Sequence, residues 1–268
     1  MALERGNLFV VPLDDRRRWY RYHHLFADVL KARLLDERPD ALPELHSRAS
    51  AWYEAHGQPS EAIRHALAAD DVDRAADLVE LALPAMRRSR QEATIRGWLE
   101  ALPDDVVRVR PVLNVGLVGA LASTGEFEGI EARLGDAERC LGGTADMVVV
   151  DETQFRSLPG AIEMYRAALA LIAGDLPRAV AHARRVLELA PEDDHLERGA
   201  AAALLGLASW TGGDLEAGYQ AYVACVAEFR LVGHIADILG CSIAMADIRS
   251  SKAASATPCA STSRPCSW

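Results

Sequence analysis

One pattern, met twice in the second half of the chain, constrains the fold more than any other feature. In AALALIAGDLPRAVAHARRVLELAP a small residue, Ala167, is followed by Gly174-Asp175-Leu176, then by Ala179 and Ala183, and finally by Pro191. About 39 residues later the order returns, with Gly206 at the small position, Gly213-Asp214-Leu215 at the turn and Gly218 in place of the packing alanine. Each residue has a physical job. Small side chains let two helices approach closely, the glycine-aspartate pair makes the turn, and proline ends the second helix. A weaker copy lies upstream in NVGLVGALASTGEFEGIEARL, where Ala120 precedes Gly125-Glu126-Phe127. Self-similarity of this kind specifies helical hairpins stacked side by side, each burying its apolar face only against its neighbours.

The pattern is that of tetratricopeptide (TPR) repeats, and the expected fold class is all-α, a TPR-like αα-hairpin superhelix. The upstream segments agree: ELHSRASAWYEAHG, with Gly57 as a C-terminal stop, then PSEAIRHALAADD and VDRAADLVELALP read as short helices separated by breaks. An ordinary helical bundle is the competing architecture. Only the first residues differ. LFVVPLD is a β-type apolar run, DDRR a turn signal and WYRYH an aromatic second run, so Leu8 to His23 is expected to form a β-hairpin. A helix follows from about His24 to Leu35, with Leu25, Phe26, Val29, Leu30 and Leu34 as its apolar positions. Hairpin plus helix is the wing end of a winged-helix unit, here expected to be a truncated one.

Composition excludes several functions. A formal net charge of −10 argues against a chain that coats nucleic acid, which needs a concentrated basic surface. The five cysteines show neither zinc-ligand nor CxxC spacing and read as scattered, reduced thiols. The start MALERGNLFVV lacks the layout of a signal peptide, and the longest apolar stretch, Val112 to Ala122, is about half of the roughly 20 residues needed to span a bilayer. A soluble, cytoplasmic protein is the expectation.

Three blocks carry a family resemblance. NLFVVPLDDRRRWYRYHHLFADVL, LHSRASAWYEAHG and PSEAIRHALAADDVDRAADLVE resemble successive segments of the MalT-like, large ATP-binding LuxR-type transcription regulators, with similarity running from roughly Leu3 to Arg249. The resemblance implies a signal-transducing ATPase architecture: a nucleotide-binding domain, a winged-helix arm, a repeat-built sensor for an inducer, and a C-terminal helix-turn-helix. Two departures bear on this chain. No GxxxxGK[ST] occurs, so no cofactor is expected here and ATP only for the full family architecture. No basic recognition helix closes the chain, so direct nucleic-acid binding is not expected either. The divisions expected are 1–40 for the end of the winged-helix arm, 41–105 for helical linkers and first hairpins, 106–249 for the sensor repeats, and 250–268 for a disordered tail. For that tail, SSKAASATPCASTSRPCSW, a shifted reading frame and a genuine polar tail are the two readings, because the third repeat's glycine is due near Ala253.

Candidate chemistry is sparse. His23, His24, His46, His56 and His65 lack the i, i+3 or i, i+4 spacing that would put ligands on one helix face, so no metal site is expected. Arg16-Arg17-Arg18 with Trp19, Tyr20, Arg21 and Tyr22 mixes basic and aromatic residues as single-strand binders do, or forms a wing with charges at its tip. The acidic runs read as solvated helix faces, and no catalytic constellation stands out, so the chain is not expected to be an enzyme. In the repeat register Leu171, Leu207 and Trp210 fall on first helices near the concave face, where solenoids hold ligands or partner segments. They are the candidate binding residues, with packing between repeats as the alternative role for Trp210. The expected occupant is a small-molecule or peptide inducer, or a partner protein. Unpaired apolar surface at both ends would favour self-association. A stand-alone repeat scaffold for protein binding is the alternative function.

Overall fold

The computed structural model describes residues 9–12, 15, 16, 20–143 and 146–256. Leu8, Leu13, Arg17, Arg18, Trp19 and the tail from Thr257 onward, all invoked above, lie outside the described residues. The expected hairpin forms, but short: β1 (Val10–Pro12) pairs antiparallel with β2 (Tyr20–Tyr22), with Val11 opposite Arg21. Thirteen helices follow among the described residues, so the structure is all-α with a leading β-hairpin.

The chain divides into two compact units, residues 1–82 and 83–268. The first unit holds the hairpin, α1 (His24–Glu37), α2 (Ala41–Ala55), α3 (Pro59–Ala68) and the first part of α4 (Val72–Arg88). Phe26 of α1 stacks on Phe9, ring centroids 5.1 Å apart, and meets the edge of Tyr22. Leu25 and Val29 stay 63% and 61% exposed, so the apolar pattern of α1 is not spent on a core among the described residues. Gly57 takes φ +69° after α2, the left-handed stop expected of it. Ala62, Ile63, Ala66, Ala75, Ala76 and Val79 form the core of this unit. The segment VDRAADLVELALP puts the end of the fourth helix at Pro84, but the helix runs on to Arg88. Ala82 and Leu83 are both buried, and burial of this kind outweighs the propensity cost of proline.

The second unit is a nearest-neighbour array. It comprises the end of α4, α5 (Glu92–Glu100), α6 (Asp104–Arg108), α7 (Pro111–Ser123), α8 (Ile130–Leu141), α9 (Glu152–Ile172), α10 (Leu176–Leu189), α11 (His195–Thr211), α12 (Leu215–Leu231) and α13 (Ile235–Ala256). Helices adjacent in sequence pack as hairpins, α7 on α8, α9 on α10 and α11 on α12, while α5, α7, α9 and α11 touch in series. That is the contact pattern of a solenoid.

The repeat signature works locally as its chemistry demands. Gly174 and Gly213 take φ +76° and +88°. The following aspartates cap the next helix: Asp175 accepts from the Arg178 amide at 3.1 Å and Asp214 from the Ala217 amide at 2.9 Å. Ala167, Ala179 and Ala183 are buried. Gly218 packs on the backbone of α11, where an added Cβ would stand 3.2 Å from both the Gly206 carbonyl oxygen and the Trp210 nitrogen. In the weaker copy, Asn114 of α7 and Arg133 of α8 tie the hairpin by reciprocal hydrogen bonds of 2.9 and 3.0 Å.

In the weak copy the second helix begins at Ile130, because Gly125 and Gly129 both adopt left-handed backbone and lengthen the turn. Phe127 is left 37% exposed. At the far end the disordered tail was expected from residue 250, yet α13 is continuous through Ala253 to Ala256. Alanine and lysine are good helix formers, and Lys252 adds an ion pair to Glu216 and lies over the Tyr219 ring.

Candidate functional site

The nominated residues sit on two consecutive first helices. Leu171 closes the last turn of α9, and Leu207 and Trp210 lie one turn apart on a common face of α11. The 39-residue offset makes Leu171 and Trp210 equivalent positions, and α9 and α11 are in contact. Their exposures differ. Leu207 is 42% exposed, and Leu171 is half-buried. Trp210 is also half-buried and packs against the cluster of Ala202, Tyr222, Cys225 and Phe229. Trp210 therefore contributes to the seam between α11 and α12, and Leu207 is the most open of the three.

A second feature was not singled out in the sequence. A cavity of about 370 Å³ opens where the first half of α9 meets the turn between α10 and α11. Its wall includes Arg156, Ser157 and Gly160 from α9, then Pro191, Asp194 and Glu197. Asp194 caps α11 by accepting from the Glu197 amide at 3.0 Å, which fixes where the Glu197 side chain starts. Gly160 leaves the room that the Glu197 carboxyl fills; a Cβ there would collide with it. Among the described residues, Glu197 Oε1 is buried and finds no hydrogen-bond partner. Burial, and after it the Asp194 charge and hydrogen bond, push the Glu197 carboxyl up to about 7. A carboxyl raised in this way holds its proton to higher pH than an exposed one, and in the protonated form it can donate a hydrogen bond. Ser157 is not an activated nucleophile, because its hydroxyl donates to the Gln154 carbonyl at 2.8 Å.

Tertiary packing also pairs residues that sequence spacing kept apart. His46 of α2 and His65 of α3 bring their Nδ1 atoms to 2.7 Å, with Tyr53 stacked on His65. Burial, then Arg64 and His46, lower the His65 pKa. Local i, i+4 counting does not find such a pair, since its members lie on different helices. Even so, among the described residues no group of three or more His, Cys, Asp or Glu is placed to hold a metal ion. The cysteines are not all scattered either: Cys225 and Cys241 lie with their sulfurs 3.1 Å apart. No helix among the described residues is long and apolar enough to cross a membrane.

A β-hairpin and helix followed by an array of helical hairpins define the class of protein: a helical-repeat array that follows a hairpin-plus-helix element in the chain. Comparison with known proteins gives that class its family. Residues 1–42 match the MalT winged helix domain. The chain is 32% identical over 213 residues to the HTH-type transcriptional regulator MalT of Yersinia pestis and 30% identical over the same length to MalT of Serratia proteamaculans; each match covers 80% of this chain and 23% of the relative. It is also 35% identical over 142 residues to the serine/threonine-protein kinase PknK of Mycobacterium tuberculosis, covering 50% of this chain and 13% of that one. No solved structure gives a significant match. The chain is thus MalT-like over four fifths of its length, and it spans less than a quarter of the curated relatives it matches.

Proposed function

We propose that this chain is the signal-receiving part of a MalT-like transcription regulator. In this reading the array from α5 to α13 takes a small-molecule or peptide inducer, or a segment of a partner protein, on the face that carries Leu171, Leu207 and Trp210. The observation that carries it is the conjunction of a MalT winged helix match with a nearest-neighbour helical array that leaves apolar side chains open on successive first helices. Solenoids bind along such faces because each repeat adds one strip of contact.

The two kinds of relative support a receiving role. The matched shares, half of the chain for PknK and four fifths for MalT, must overlap, so one region of this sequence resembles proteins named for different outputs. A region shared in that way is best assigned to regulation, with catalysis or DNA binding placed in other domains. ATP binding likewise belongs to a nucleotide-binding domain outside this stretch: the sequence has no phosphate-binding lysine loop.

The test is a thermal-shift screen of the purified chain against mono- and oligosaccharides, nucleotides, amino acids and short peptides. It is repeated on Leu207→Lys, which puts a charge on the open face without emptying the core. At least one probe is expected to raise the Tm of the wild type and to lose its effect in the variant. The proposal is overturned if no probe binds, if every shift persists in Leu207→Lys, or if the chain alone turns over ATP.

A further inference from the structure

Cys225 of α12 and Cys241 of α13 face each other across the last helix pair, with Sγ to Sγ 3.1 Å. Both are buried, in a cluster with Tyr222, Val226, Phe229 and Ile248. A disulfide requires about 2.05 Å between sulfurs, so a closing movement of about 1 Å, within the reach of side-chain rotation, would complete the bond. The third described cysteine, Cys140 of α8, is also buried.

The position of the pair matters as much as its distance. Among the described residues α12 is the principal neighbour of α13, and Ile235, Leu239 and Ile243 on α13 are 70%, 59% and 63% exposed. The last helix is therefore supported chiefly through the seam that holds the two thiols. Local opening begins at elements with few buried contacts. Burial raises both thiol pKa values, so the closed pair reacts slowly. Cys241 is 7% exposed and Cys225 fully enclosed, which makes Cys241 the first sulfur an oxidant meets when α13 loosens.

We propose that Cys225 and Cys241 are a redox modification site at which a hydroperoxide forms a disulfide that staples α13 to α12. The Cys241 thiolate attacks the peroxide, the O–O bond breaks, and a sulfenic acid and an alcohol (water, for hydrogen peroxide) result. The Cys225 sulfur then attacks the sulfenic sulfur and expels water. In sum two thiols and one hydroperoxide give one disulfide, one alcohol and one water; two electrons pass from sulfur to the peroxide oxygens, and both thiol protons end on oxygen. The reaction waits on partial opening of α13, and its product prevents that opening.

The whole folded chain is treated with hydrogen peroxide, denatured in N-ethylmaleimide and digested with trypsin without reduction. Cleavage after Arg198, Arg230 and Arg249 places Cys225 and Cys241 on separate peptides, 199–230 and 231–249, each with one cysteine. The expected product is these two peptides joined, lighter than their sum by two hydrogens and separated by reductant. It persists in Cys140→Ala and disappears in Cys225→Ala. Amide exchange in α13 of the oxidised wild type is expected to slow by about tenfold or more, as befits a cross-link across a short loop. Recovery of both peptides alkylated, their over-oxidation without linkage, or linkage of either to another cysteine would overturn the proposal. The wild-type digest decides the matter even if a variant folds poorly.

Discussion

Gly218→Ala and Gly240→Ala are the same chemical change in two helix interiors, and the array predicts opposite signs for them. In an open helix position, replacing glycine by alanine gains about 0.8–1.0 kcal/mol from the backbone freedom that glycine loses on folding. Gly240 of α13 is such a position, with nothing among the described residues within 4 Å of an added Cβ. Its alanine variant should be stabilised by about 1 kcal/mol. Gly218 has the same intrinsic gain available, but its added Cβ would meet the Gly206 carbonyl oxygen and the Trp210 nitrogen, both at 3.2 Å. These are backbone atoms of α11 and cannot rotate away. Overpacking of this kind costs about 1–3 kcal/mol, so the net effect at Gly218 is a loss of about 0–2 kcal/mol, and the two variants should differ by about 1–3 kcal/mol. Urea unfolding followed by circular dichroism measures both at constant m-value. If Gly218→Ala is as stabilising as Gly240→Ala, the close approach of α11 and α12 is wrong, and with it the role assigned to the small residues of the repeat.

Three further outcomes follow from individual contacts. The Glu197 carboxyl, raised from 4.5 to about 7, contributes stability that is complete below its unfolded pKa and lost as pH rises through 7. At about 1.36 kcal/mol per unit, discounted because the side chain is only partly enclosed, the loss between pH 5 and 8 is about 1–2 kcal/mol. Glu197→Gln should show that much less loss in urea titrations at the two pH values; a parallel pH dependence would remove the assigned cause. Asp214→Ala deletes the cap on the Ala217 amide and should cost about 1 kcal/mol, read as a lower denaturation midpoint, with Asp214→Asn retaining most of it. Trp210→Ala should cost about 2–3 kcal/mol because it empties part of the α11–α12 seam, whereas Leu207→Ala, at a 42% exposed position, should cost less than about 1 kcal/mol; similar losses for both would contradict their different burial.

The array was legible because its punctuation is local. Gly174-Asp175 and Gly213-Asp214 each carry a left-handed residue and a helix cap within two positions, and turn chemistry of that kind does not depend on distant partners. Hairpin β1–β2 was readable for the same reason. What escaped depends on contacts between helices. The two thiols are 16 residues apart and the paired histidines 19, distances at which helical spacing says nothing about who meets whom. The cavity beside Glu197 arises where Gly160, on another helix, leaves room for a carboxyl. Burial around Pro84 carried α4 past a residue that ends most helices. Of the candidate binding residues, the register placed Leu171 and Trp210 at equivalent sites, but only the packing revealed that Trp210 is committed to a seam while Leu207 stays open.

The central claim, that the array receives a signal on its first helices, is tested most directly by hydrogen exchange of the whole chain with and without the strongest binder from the sugar, nucleotide, amino-acid and peptide screen. The account predicts protection concentrated on α9 and α11 around Leu171, Leu207 and Trp210, with little change in the β-hairpin and α1. Protection confined to the cavity between Ser157 and Glu197, protection in the hairpin alone, or the absence of any binder would contradict it.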